Sequence, residues 1–411
     1  MMPQLDKLRS HLAAVPALAY LFGFLVSSTI ELIAGDSLAT LLGLPGMPSL
    51  FGITLVQRAL LMLPSVFAYD ALIYVLPIYV VARLCAPFIP KLTSRIPERF
   101  SAPFYVLLAF FVVQLWGGLH EYRILVLSLM GVNIILAASL NLINGYMGEF
   151  SVGHAGFMGV GAYVASILTV WVFPRSLGHL TFPLALLAGG ACAGLAGLLV
   201  AIPSFKIRGD YLAIITLAVN YIIKNGIENI ERIGGSRGFM GMAKLTNIPW
   251  AFVWSALTLW LKRNFVLSPR GRAVVAIRED EIAAETMTVN TRYTKIVAFC
   301  LSSFFAGIAG GLFAHVLLYI NPSTFSLLKS TEVLVMVYLG GMASMSGSLI
   351  GAVTFTLLLE TLRPLEVWKW VLIPMLLVAI LLRRHAGLMG FREFSFLSPR
   401  EEAESYGSAS D

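Results

Sequence analysis

SPRGRAVVAIREDEIAAETMTVNTRYTK, residues 268–295, lies between two long apolar runs and carries Arg270, Arg272, Arg278, Arg292 and Lys295 beside Glu279, Asp280, Glu281 and Glu285. In a chain with 12% charged residues, that concentration marks where the polypeptide leaves an apolar medium and meets water and something soluble. No Gly or Pro interrupts it from Arg272 onward, and Val274, Val275, Arg278, Ile282 and Glu285 recur at helical spacing. The pattern predicts one amphipathic helix over about residues 271–290, lying on the membrane surface with one polar face. Ala283 and Ala284 carry almost no side chain and would let a partner's groove approach the backbone. An ordinary solvated helix anchored by its arginines fits the same spacing.

Composition places the rest of the chain in a bilayer. With 58% hydrophobic residues and repeated apolar runs of about 17 to 25 residues, the 411-residue chain has far more apolar length than a soluble core needs. The net charge of +7 comes from basic residues between the runs, a positive-inside pattern with no continuous stripe for nucleic acid. Cys85, Cys192 and Cys300 lie in or beside apolar segments without metal or disulfide spacing. Lys7 and Arg9 precede an apolar run over about residues 12–33, too long for a signal-peptide core and without a small-residue cleavage site, and therefore read as a retained first span.

Further apolar segments fall at about 60–81, 102–119, 124–142, up to 173, 182–202, 211–230, 249–261, 296–318, 331–343, 349–362 and 367–382. That makes about twelve, two or three of them short enough to be half-helices. Basic residues at Arg83, Lys91, Arg95 and Arg99, at Lys206 and Arg208, and at Arg383, Arg384 and Arg392 put those connections and both termini in the cytoplasm, with 34–51 and the turn HEYR (120–123) outside. The segment GYMGEFSVGHAGFMGVGAY (145–163) holds Gly145, Gly148, Gly153, Gly156, Gly159 and Gly161. So many glycines imply a broken or re-entrant backbone, close helix packing, or both. A faint echo of it stands at GGMASMSGSLIGAVTF (340–355), as internal repeats of transporters would leave. The fold class expected is all-α: a polytopic transmembrane helical bundle with Gly-rich broken or re-entrant helices and a cytoplasmic coupling helix.

Enzyme chemistry finds little to stand on. Glu149 and His154 sit in the Gly-rich segment without a second His or Cys to complete a metal site, and His120–Glu121 lacks the second His of a metalloprotease signature. The Gly-rich connection ERIGGSRGFMGMAK (231–244) invites a phosphate-loop reading, but the chain has no Gly-Lys-Ser/Thr. Ser346 within ASMSG, with His315 as base, distantly suggests an intramembrane protease; packing or helix capping is the plainer role for such a serine. Asp70, Glu332 and Glu360 are intramembrane carboxylates that keep an ion-coupled secondary carrier of a small polar solute open. A charged surface helix in a chain without a nucleotide motif suits docking of a soluble partner.

Four motifs in order carry a family resemblance over about residues 125–384: LNLINGYMGEFSVGHAGFMGVGAY; RGDYLAIITLAVNYIIKN with GGSRGFMGM; AIREDEIAAETMTVNTRYT followed by KIVAFCLSSFFAGIAGGLFAH; and INPSTFSLLKSTEVLVMVYLGGMASMSGSLIGA. They resemble the branched-chain amino acid ABC permeases, specifically their M-type subunit. The resemblance implies a permease core at 124–384, an N-terminal extension at 1–123 with about three spans, and a mobile cytoplasmic tail at 385–411. It also implies a bacterial inner-membrane location, an H-type sister permease, two ATPase subunits holding ATP and Mg, and a periplasmic amino-acid-binding protein. The cargo implied is leucine, isoleucine and valine, with urea or short-chain amides as the cargo of related permeases. The ATPase would dock on Arg278, Glu279, Glu281, Ala283, Ala284 and Glu285. The importer loop pattern carries Gly where this chain has Thr288. A zwitterion with an apolar side chain suits a path of glycine backbone with a few polar groups, for which Glu149, Ser151, His154, Thr216 and Asn220 are the candidates.

Overall fold

Apolar runs as long as a bilayer core satisfy their backbone polar groups internally as helices, and these runs do. The computed structural model describes residues 17–53, 62–85, 98–174, 177–206, 211–363, 368–383, 387–389 and 393. In order come α1 (Ala17–Leu41), α2 (Leu63–Cys85), α3 (Glu98–Gly118), α4 (Glu121–Met147), α5 (His154–Val172), α6 (Gly178–Ser204) and α7 (Tyr211–Glu228). Then follow α8 (Ile248–Leu267), α9 (Pro269–Glu279), α10 (Glu281–Thr286), α11 (Thr291–Leu317), α12 (Leu327–Gly340), α13 (Met345–Thr361) and α14 (Lys369–Arg383). Two-residue strands β1 (Phe239–Met240) and β2 (Tyr319–Ile320) pair antiparallel, so the Gly-rich connection after α7 is pinned to the end of α11. The chain is an all-α, multi-pass membrane protein.

Among the described residues six helices, α1, α2, α4, α5, α6 and α11, are long and apolar enough to cross a membrane. Several of the twelve expected segments fall short of that. The 14 residues of α12 rise only about 21 Å, less than a bilayer core, and α7 is interrupted by Asn220, Lys224 and Glu228. The first helix continues to Leu41, well into the stretch expected to be an outer loop. The expected tail, 385–411, lies almost wholly outside the described residues.

The described chain forms two compact units, one through Leu127 and one from Ser128. The first is built on an ion pair that the sequence hides. Arg123, expected in the outer turn HEYR, is fully buried at the start of α4, and its Nη2 lies 2.6 Å from Glu31 Oε1 of α1. Tyr74 donates to Glu31 Oε2 at 2.6 Å, Trp116 Nε1 donates to the Tyr74 hydroxyl at 2.9 Å, and Arg123 Nη2 also donates to Pro48 O at 2.7 Å. The guanidinium stacks 4.7 Å from the Trp116 ring centre. A buried charge this well surrounded offsets its desolvation; either partner left alone would not.

In the second unit α5, α6 and α11 pack with their backbones nearly touching. A Cβ on Gly161 would lie 2.1 Å from Gly307 O, and one on Gly310 would lie 1.9 Å from Met158 O. Helix association without a hydrophobic driving force depends on such close van der Waals contact, and only glycine permits it here. Both structural reasons for the Gly-rich segment therefore hold. The last six residues of α4, Leu142–Met147, widen into a π-turn, Gly148 reverses the chain with φ +76°, and α5 starts at His154. The echoed segment lies against this break: Asn141 Nδ2 donates to Ser344 O at 2.7 Å and Ser348 Oγ at 2.6 Å, and its Oδ1 accepts from Ala343 N at 2.9 Å.

Candidate functional site

The polar segment forms two helices where one was expected. Ser268 caps α9 by accepting from Gly271 N at 3.2 Å, with Pro269 in the first turn, where a missing N–H costs nothing. Asp280 then leaves helical geometry (φ −159°, ψ 110°) and its carboxylate accepts from Ile282 N at 2.9 Å and Ala283 N at 3.0 Å, starting α10. An aspartate that caps a new helix competes successfully with continuing the old one. The break resets the helical phase. Val274 and Ile277 of α9 are buried, whereas Ile282 and Met287 are 74% and 76% exposed. Val274 and Ile282, which recur in one helical spacing, therefore end up in different environments. Ala284 is buried too, so of the two alanines only Ala283 is open to a partner's groove.

Thr288 ends α10 with φ +66°, a left-handed conformation that glycine adopts without strain and a β-branched residue does not. This is the position at which the general loop pattern has Gly. Its amide donates to Glu285 O at 3.0 Å, and Val289 N donates to Ala284 O at 3.1 Å, closing the turn.

The charged residues of this surface divide by partner. Glu279 is exposed and pairs with Arg278, whose Nη1 also donates to Gly145 O at 3.2 Å in the π-turn of α4. Glu285 accepts from Thr291 Oγ1 at 3.0 Å. Glu281 meets Lys295 Nζ at 2.8 Å, and the same ammonium lies 2.6 Å from Glu149 in the Gly-rich break. Lys295 itself is nearly buried. A cavity of about 460 Å³ opens here, lined among others by Gly148, Glu149, Arg278, Glu281, Arg292 and Lys295. Of the five expected path residues, Glu149 thus belongs to the rim of this cavity.

The remaining four are buried around the break between α4 and α5. Thr216 Oγ1 accepts from Val152 N at 3.2 Å and donates to Ala213 O at 3.1 Å. Asn144 Oδ1 accepts from Ser151 N at 3.3 Å, and His154 Nε2 lies 2.8 Å from Ser139 Oγ. Ser151 Oγ, Asn144 Nδ2, His154 Nδ1 and both amide atoms of Asn220 find no hydrogen-bond partner among the described residues. Buried polar atoms are nearly always satisfied, so several orphans near one break are unusual. Asn220 packs on Gly156, where a Cβ would lie 2.9 Å from its Oδ1, and Gly153 packs on Thr216. Asn141, Asn144 and Lys262 escaped sequence reasoning. Lys262, 1% exposed, sits 5.0 Å from the Tyr146 ring centre with Nζ 3.3 Å from Ser348 Oγ. The only cue for it is a lysine near the end of an apolar run.

Most residues of the other chemistries are already engaged; the exception is Asp70, whose buried Oδ1 has no hydrogen-bond partner among the described residues. Ser346 Oγ donates to Glu393 at 2.6 Å while His315 Nε2 lies 2.8 Å from Thr169 Oγ1, so each member of the supposed protease pair has another partner. Ser346 serves instead at the start of α13, where its backbone amide also donates to Glu393 at 2.9 Å. Glu332 pairs with Lys329 at 2.8 Å and Glu360 with Arg363 at 3.1 Å, each neutralised on its own turn. No group of His, Cys, Asp and Glu suited to a metal ion occurs among the described residues.

The family described as "Branched-chain amino acid transport system / permease component" matches residues 122–381. The high-affinity branched-chain amino acid transport system permease protein LivM of Escherichia coli K12 is 30% identical over 298 residues, 64% of this chain and 68% of the relative. The protein of the same name from Salmonella typhimurium LT2 is 30% identical over 292 residues, 62% of this chain and 67% of the relative. No solved structure matches.

Proposed function

The chain belongs to the family of branched-chain amino acid transport system permease components, and from that membership we propose that it is the M-type permease subunit of an ABC importer. It carries leucine, isoleucine or valine across the bacterial inner membrane, with both termini in the cytoplasm. An H-type sister permease completes the pathway, a periplasmic binding protein delivers the cargo, and two ATPase subunits hold ATP and Mg. The chain itself does no hydrolysis.

The observation that carries this reading is the surface of α9 and α10. Ile282 and Met287 are exposed apolar side chains on a segment that also carries Arg278, Glu279, Glu281 and Glu285. Apolar anchors ringed by polar groups are how specific interfaces are built, and the chain has no nucleotide motif that would make such a partner unnecessary. The cargo path follows the break between α4 and α5, where Ser151, His154, Asn144 and Asn220 hold buried hydrogen-bonding atoms without partners among the described residues. Those atoms suit the ammonium and carboxylate of an amino acid better than a lipid-facing wall would.

Docking is tested by co-purification. Ile282→Glu should leave the chain in the membrane with its sister subunit but strip the ATPase from the complex. An Ile282→Glu complex that retains its ATPase in full would remove α10 from the docking surface.

A further inference from the structure

The ion cluster beneath α10 does more than neutralise charge. Three features bracket one hinge. Before Gly148, Arg278 of α9 donates to Gly145 O at 3.2 Å. At Gly148 the chain turns through φ +76°, with Arg278 packed so tightly that a Cβ there would lie 2.6 Å from Arg278 Cγ. After Gly148, Glu149 is held by Lys295, which reaches Glu281 of α10 on its other side, at 2.6 and 2.8 Å. The coupling surface therefore grips the break on both sides of its one left-handed residue. Beyond Glu149 the chain continues directly into Ser151 and Val152, bonded to Asn144 and Thr216.

We propose that Lys295 is a positioning residue, a two-ended ionic link that passes displacement of α9 and α10 to the hinge at Gly148 and so to the buried polar residues beyond it. This rests on the ATPase-driven reading above. The electrostatics give the link a direction. With Lys295 in place, two carboxylates on separate segments are held within one ammonium's reach; without it they face each other across the cavity rim and repel. Movement of α10 then no longer drags Glu149 along. Among the described residues Ala284 of α10 is buried as well, and Glu285 accepts from Thr291, six residues further along the chain.

The test uses the complete transporter, with sister permease, ATPase pair and binding protein, in proteoliposomes, and measures leucine imported and ATP hydrolysed in the same vesicles. Lys295→Met should lower leucine imported per ATP by about tenfold, within the usual range of coupling between sites, and Lys295→Arg should restore most of it. Glu281→Gln cuts one arm at a half-exposed carboxylate that folding tolerates, and should lower the same ratio severalfold even if Lys295→Met fails to assemble. A simple loss of structure would lower import and hydrolysis together and leave the ratio unchanged. An unchanged ratio in Glu281→Gln or Lys295→Met overturns the link. A wild-type complex that imports nothing with ATP present refutes the ATPase-driven reading instead, so the two failures are distinct.

Discussion

Gly148→Ala should disable the break between α4 and α5, and its cost follows from two terms. Gly148 has φ +76°, and placing an alanine in left-handed geometry costs about 1–2 kcal/mol. The new Cβ would also lie 2.6 Å from Arg278 Cγ, near the root of that side chain rather than at its flexible end. Arg278 must move and give up its bond to Gly145 O, a charge-assisted contact worth about 1.5–3 kcal/mol. Together the terms make about 2.5–5 kcal/mol, read as loss of stability of the purified chain in equilibrium denaturation. Uptake by the assembled transporter should fall by at least about tenfold, which less energy than that suffices to produce. Gly226→Ala is the control, because nothing lies within 4 Å of its Cβ and its φ is ordinary; it should be neutral or stabilising by about 0.5–1 kcal/mol. In Gly148→Ala/Arg278→Ala the overlap is gone and the bond is lost only once, so the double variant should cost about as much as Gly148→Ala alone. A Gly148→Ala variant as stable and active as Gly226→Ala, or costs that add fully in the double variant, would refute the reasoning.

Other positions give equally direct expectations. Arg123→Met strands Glu31 in a fully buried site and should destabilise the first unit by about 3–5 kcal/mol, whereas Arg123→Met/Glu31→Met should recover most of that loss in the same denaturation experiment. Gly310→Leu would push a side chain into the backbone of α5 at Met158 O, 1.9 Å from the new Cβ, and should cost at least about 3 kcal/mol or prevent accumulation in the membrane, as read by expression and thermal unfolding. Thr288→Gly removes left-handed strain from a β-branched residue and should raise the melting midpoint of the assembled transporter, by about 1 kcal/mol in stability, without loss of uptake.

The sequence shows most of the architecture because its signals are local. Long apolar runs locate the membrane helices, and the density of glycine at 145–161 announces both the break after α4 and the close packing of α5 on α11. The polar segment at 268–295 is equally plain, but its split at Asp280 is not: a run without Gly or Pro looks continuous, and the capping aspartate is inconspicuous among acidic neighbours. Two helices do not share one phase, so the helical spacing of Val274 and Ile282 does not put them on one face. The least legible features join distant residues. Glu31 and Arg123 are 92 positions apart, and Lys295 reaches Glu149 from 146 positions away. Nothing in the spacing of either pair records that topology brings them together. The same holds for Asn141 and Lys262 at Ser348, where three helices meet.

The most direct test of the account is uptake of radiolabelled leucine into proteoliposomes holding this chain and its sister permease, with and without the ATPase pair, the binding protein and ATP on the ATPase side. The account predicts import only when all are present. Import driven by an ion gradient without the ATPase would contradict it.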